Sequence, residues 1–64
     1  TFTQFVNEMR VTYACRLLRD TELSVAAVGY ESGFNNLSHF NKQFKQHTGS
    51  SPRVYRKSLL QIVG

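Results

Sequence analysis

Four polar side chains, Ser38, Asn41, Lys42 and Lys45, recur at offsets of three, four and seven along one stretch of the chain. On an α-helix, at about 100° per residue, they occupy roughly a third of the circumference and form one continuous stripe. Asn can bond an adenine edge twice, Lys can reach guanine O6 and N7, and Ser can donate or accept. None of the four carries a negative charge that a phosphate would repel. His39, Gln43 and Gln46 add donors at the flanks. A helix dressed in Lys and Gln is also what an ordinary solvated helix looks like, so the stripe gains meaning only from its surroundings. Those surroundings are basic: Arg53, Arg56 and Lys57 follow closely, and the amides at Ser51-Pro52 open a further helix whose start could hold a phosphate. The N-terminal half of such a stripe is the half that would enter a major groove. The residues expected at base edges are therefore Leu37, Ser38, Asn41 and Lys42, with His39 and Lys45 nearer the backbone.

Positioning the stripe requires an apolar back. Leu37, Phe40 and Phe44 supply one at offsets of three and seven, on a face of the same helix from which the polar stripe is directed away. Asn36 offers the N-cap and Gly49 the terminator, which bounds this helix at about 37–48. Before it, Ser24 caps a short helix over 25–32 that carries small residues at Ala26, Ala27 and Gly29, and Gly33 ends it with Phe34 folding back. The intervening Gly33-Phe34-Asn35-Asn36 has the length of a helix-turn-helix connection. Upstream, Thr1 to Asp20 reads as one uninterrupted helix, opened by a capping box at Thr1-Phe2-Thr3-Gln4. Its apolar residues fall at Phe2, Phe5, Val6, Met9, Tyr13, Leu17 and Leu18. Downstream, Ser51-Pro52 starts a fourth helix with Val54, Tyr55, Leu59 and Leu60, expected to fray before Gly64. The expectation is an all-α chain of four helices with no strand, repeat or low-complexity tract.

Length and composition narrow the function. The chain has 64 residues, eight Lys and Arg against four Asp and Glu, and a net charge of +4, which favours anionic partners. A chain this short forms a single domain with little room for a walled catalytic pocket. The single cysteine, Cys15, cannot form an internal disulfide and has no neighbouring His to activate it. His39 and His47 are about 12 Å apart by helical rise, too far to share a metal. The acidic residues show no carboxylate-pair spacing. No enzyme, metal or cofactor is expected, and no apolar run reaches the roughly 20 residues of a membrane span. Reduced, soluble, cytoplasmic protein is the reading, and the start at Thr1 without a Met suggests a piece of something longer.

The combination Val25-Ala26, Gly29, Gly33-Phe34, Ser38-His39-Phe40, Phe44-Lys45, Thr48-Gly49 and Ser51-Pro52 with Tyr55-Arg56 resembles the signature of AraC/XylS-type bacterial transcription regulators. The stretch Met9-Arg10-Val11, Ala14-Cys15 and Leu17-Leu18 resembles the helix that precedes it in that family. The resemblance implies a homeodomain-like helix-turn-helix, with residues 1–20 as a linking helix and 21–64 as the second helix-turn-helix subdomain. A first subdomain and an effector or dimerisation domain would lie outside this chain, and any small-molecule effector would act only through that missing part. By position, the family's base-reading residues fall at Leu37, Ser38, Asn41 and Lys42. Asn36, His39 and Lys45 fall beside phosphates, joined by Ser51, Arg53 and Arg56 from the basic cluster. Double-stranded DNA is the implied partner, and contact with RNA polymerase is a further one that the resemblance admits.

Three further readings accompany this one. A basic helical module that holds an acidic protein partner fits the same charge, and it would respond weakly to salt where phosphate contacts respond steeply. Tyr13, Tyr30 and Tyr55 fall among apolar positions and are expected in the core with their hydroxyls outward. Without a first subdomain, apolar surface around Phe2, Phe5 and Met9 is expected to stand uncovered.

Overall fold

The computed structural model describes residues 1–63, the last three by backbone alone. It contains four helices in order, α1 (Phe2–Asp20), α2 (Val25–Glu31), α3 (Leu37–Thr48) and α4 (Pro52–Val63). Among the described residues there is no strand. The fraying expected before Gly64 falls at the end of the described residues, where α4 is helical through Val63.

Local chemistry sets each boundary. Thr1 accepts a bond from the Gln4 amide while the Gln4 side chain returns to the Thr1 nitrogen, which completes the capping box. Ser24 caps α2 through Ala27 N, Asn36 caps α3 through His39 N at 2.8 Å, and Ser51 Oγ accepts from Val54 N at the head of α4. α2 stops one residue earlier than expected because Ser32 leaves the helix, its hydroxyl donating back to the Val28 carbonyl. Gly33 then takes φ 101°, and the pair Gly33 N to Tyr30 O and Phe34 N to Gly29 O forms a Schellman closure.

Phe40 and Phe44 of α3 are fully buried among Val11, Ala14 and Leu18 of α1, Val28 of α2 and Phe34 of the turn. The aromatic rings run in file: Phe34 to Phe40 at 5.2 Å, Phe40 to Phe44 at 5.8 Å, and Phe44 to Tyr55 of α4 at 5.4 Å. α2 reaches α3 at Gly29, where a Cβ would lie 2.7 Å from Phe40 Cδ2 and 3.1 Å from Leu37 Cδ2. Only a residue without a side chain permits that approach.

α1 has two apolar faces. Asn7, Val11, Ala14 and Leu18 are buried, whereas Phe2, Phe5 and Met9 are 80%, 58% and 57% exposed. At about 100° per residue the two sets point in nearly opposite directions, roughly 175° apart. The uncovered surface expected around Phe2, Phe5 and Met9 is therefore present. Tyr13 is exposed on the same face, and Tyr30 is exposed on the outer side of α2, so the core placement expected for both does not hold. Tyr55 alone of the three packs inward, against Phe44 and beside Cys15.

Arg56 ties the last helix to the end of the first. Its Nε donates to Leu18 O at 3.2 Å, its Nη2 to Thr21 O at 3.2 Å, and its Nη1 to Leu23 O. These carbonyls lie at and just beyond the C-terminus of α1, where helix geometry leaves acceptors unmet and where a cation is favoured.

Three outcomes are expected. Arg56→Met lowers stability by about 2–3 kcal/mol in urea denaturation, while Lys57→Met, on an exposed position, changes it by less than about 0.5 kcal/mol. Gly29→Ala costs about 1–3 kcal/mol in the same assay by overpacking Phe40. The isolated chain self-associates at high concentration by light scattering, and replacing Phe2, Phe5 and Met9 by Ser restores a monomer.

Candidate nucleic-acid interface

The fold holds α3 by one side only. Its Phe40 and Phe44 face inward, and Ser38, Asn41, Lys42 and Lys45 are all exposed on the other side. Among the described residues no side-chain hydrogen bond or ion pair engages these four, so their donors and charges face solvent. Gln46 and His47 are exposed further along, and Gln43 is half-buried at the stripe's edge. The helix is thus a rigid rod with a polar outer surface, and its apolar side fixes which residues project.

Two residues expected to touch DNA have other duties in the structure. Leu37 is half-buried, with Cδ2 against α2 at Gly29, so that methyl group belongs to the α2–α3 contact. Arg56, expected at the phosphates, spends its guanidinium on three carbonyls at the end of α1. The reason is geometric: Tyr55 faces Phe44, which turns the next residue of α4 toward the end of α1. Arg53 and Lys57 remain exposed on α4, and Ser51 is half-buried at its N-cap. Asn36 has its carbonyl oxygen committed to the α3 cap, leaving its amide nitrogen outward, and His39 is half-buried with its ring edge-on to Phe34 at 5.4 Å.

Charge is divided along the chain more sharply than the net value conveys. All four carboxylates, Glu8, Asp20, Glu22 and Glu31, precede Gly33, while Lys42, Lys45, Arg53, Arg56 and Lys57 follow it. Neither α3 nor α4 carries an acidic residue, so nothing on those helices opposes an anion. This partition was visible in the sequence as a change of sign at the turn, and a whole-chain net charge conceals it. The one ion pair among the described residues, Arg19 to Asp20 at 2.8 Å, lies at the far end of α1. There the guanidinium holds the Asp20 carboxyl below its ordinary range.

Features that could carry other chemistry lie away from α3. Burial pushes the Cys15 thiol upward, against the smaller opposing effect of the Tyr55 hydroxyl, which keeps it protonated and poorly nucleophilic. An open groove of about 660 Å³ is lined by Leu18, Arg19, Thr21, Glu22, Arg56, Leu59 and Leu60, with no residue from α3. Among the described residues there is no cluster of three metal-ligating side chains, and no helix is long and apolar enough to cross a membrane.

A family model described as a helix-turn-helix domain matches residues 1–58. The transcriptional activator NphR of a Rhodococcus species is 44% identical over 55 residues, covering 86% of this chain and 16% of that protein. The chain belongs to the AraC/XylS-type helix-turn-helix family. The melibiose operon regulatory protein of Escherichia coli is 35% identical over 57 residues, covering 89% of this chain and 19% of its own length. The transcriptional activator RhaR of Cronobacter sakazakii is 30% identical over the full 64 residues, which make up 23% of that protein. This chain therefore spans less than a quarter of the length of these regulators. A solved structure of a protein of unknown function from Listeria innocua superposes with a TM-score of 0.86 at 38% identity, over 89% of this chain and 54% of that one.

Proposed function

We propose that this chain is the second helix-turn-helix of an AraC-type bacterial transcription regulator, and that α3 reads double-stranded DNA in the major groove. The observation that carries the reading is the exposed, unpaired stripe Ser38, Asn41, Lys42 and Lys45 on a helix whose opposite side is locked into the core. Ser38, Asn41 and Lys42 meet base edges, and Leu37 sets how deeply the helix sits by bearing on α2. Asn36, His39, Lys45, Ser51 and Arg53 meet the phosphates on either side. α1 is the linking helix, and its face of Phe2, Phe5 and Met9 covers a preceding helix-turn-helix subdomain. Its two opposed apolar faces support that role, because large apolar side chains exposed together on one face mark a surface that another part of a protein covers. RNA polymerase and a small effector would engage other surfaces and other domains of the whole protein, which works in the cytoplasm.

The test is fluorescence anisotropy of the full-length regulator with a pool of duplexes, titrated in salt. Binding is expected to fall steeply with salt, at about −0.9 per phosphate neutralised on a log–log plot. Asn41→Ala and Lys42→Ala each lose roughly 1–3 kcal/mol of discrimination between preferred and unrelated duplexes. Binding that ignores both substitutions would assign the basic face to a protein partner instead.

A further inference from the structure

Arg10 stands out among the cations of the amino-terminal half. It lies on α1, twenty-four residues before the turn it touches, and no reading of the recognition segment includes it. Its guanidinium carbon sits 5.9 Å from the centre of the Phe34 ring. Its side chain runs along the turn glycine, with Nε, Cδ and Cγ 3.3, 3.6 and 3.7 Å from where a Gly33 Cβ would be. On α1 itself the Asn7 Oδ1 accepts a long bond of 3.5 Å from Nη1. Among the described residues no carboxylate pairs with it. Arg56 has all three of its nitrogens engaged, whereas most of the Arg10 donors are unspent.

The position matters as much as the vacancy. Phe34 carries Arg10 over its ring and the His39 ring at its edge, so cation and imidazole flank one aromatic side chain. His39 follows Ser38 in the first turn of α3 and lies about 60° around the helix from Lys42, which puts it at the rim of the reading stripe. A helix seated in a major groove about 12 Å wide has a phosphate strand along each rim. A guanidinium held over Phe34 is then offered to the strand on the His39 side without losing much rotamer freedom on binding, since packing has already restricted it.

We propose that Arg10 is a phosphate-contacting residue, presented by the linking helix to the DNA strand that borders the His39 side of α3. The proposal rests on the groove-reading role of α3. It also gives α1 a part in binding DNA as well as in joining subdomains.

The experiment uses the full-length regulator and compares wild type, Arg10→Met and Arg10→Lys on a preferred and an unrelated duplex across a salt series. Arg10→Met is expected to weaken both duplexes by the same factor and to make the log–log salt slope shallower by about 0.9. Arg10→Lys is expected to keep the slope. Asn41→Ala runs alongside as the reference that changes preference. An unchanged slope in Arg10→Met, with preference lost in Asn41→Ala, overturns the proposal and leaves the reading of α3 intact. Absence of salt-dependent binding in wild type overturns both. Circular dichroism checks that the variants fold. Should Arg10→Met fail to, single methylphosphonate substitutions in the duplex are scanned with wild type and Arg10→Gln, which removes the charge but keeps a polar side chain. One neutralised phosphate on the His39 side is then expected to weaken wild type more than the Gln variant, and equal losses at every position would overturn the proposal.

Discussion

Everything in this small fold depends on how closely α2 and α3 approach each other at Gly29. With Phe40 Cδ2 occupying the space a Cβ would need, the contact admits no side chain on the α2 side. That closeness pins Phe40 and Leu37, and through them it fixes the rotation of α3 about its own axis. Rotation is what decides which residues face outward. A helix free to turn by one residue would exchange Asn41 for Phe40 on its exposed side. α1 and α4 then complete the enclosure, α1 through Val11, Ala14 and Leu18 and α4 through Tyr55 against Phe44.

Much of this was legible in the residues, because punctuation and periodicity act locally. Thr1, Ser24, Asn36, Ser51, Gly33 and Gly49 mark boundaries by chemistry that involves only their near neighbours, and the structure realises each of them. The stripe on α3 followed from helical geometry alone. Long-range commitments were less legible. The donors of Arg56 go to carbonyls more than thirty positions away, and no local pattern announces that. Leu37 had two expectations, one in the apolar back with Phe40 and Phe44 and one at a base edge, and its contact with α2 at Gly29 accords with the first. The two-sided nature of α1 was half visible, since Phe2, Phe5 and Met9 made an apolar stripe, but of the seven apolar positions read along that segment only Leu18 is fully in the core, beside Val11 and Ala14, which were not among them. Tyr13 and Tyr30 were misplaced for the same reason: an apolar face does not say which neighbour covers it.

Electrostatics and packing divide the work between them. Packing orients α3, and the sign change at Gly33 leaves α3 and α4 without a single carboxylate beside the exposed lysines. The cations are not equivalent. Arg56 serves the fold, Arg19 is paired with Asp20, and Lys42 and Lys45 stand unpaired on the outer side of α3. Counting basic residues therefore overstates the charge available to a partner, and only their individual bonds separate structural from available cations.

The central claim is that the outer stripe of α3 lies in a major groove. Dimethyl sulfate tests it directly, because it methylates guanine N7 in the major groove and adenine N3 in the minor groove. On a duplex bound by the full-length regulator, the account predicts protection of guanine N7 within the segment facing α3, lost when Lys42 is replaced by Met. Protection confined to adenine N3, or N7 protection that survives replacement of both Asn41 and Lys42, would contradict it.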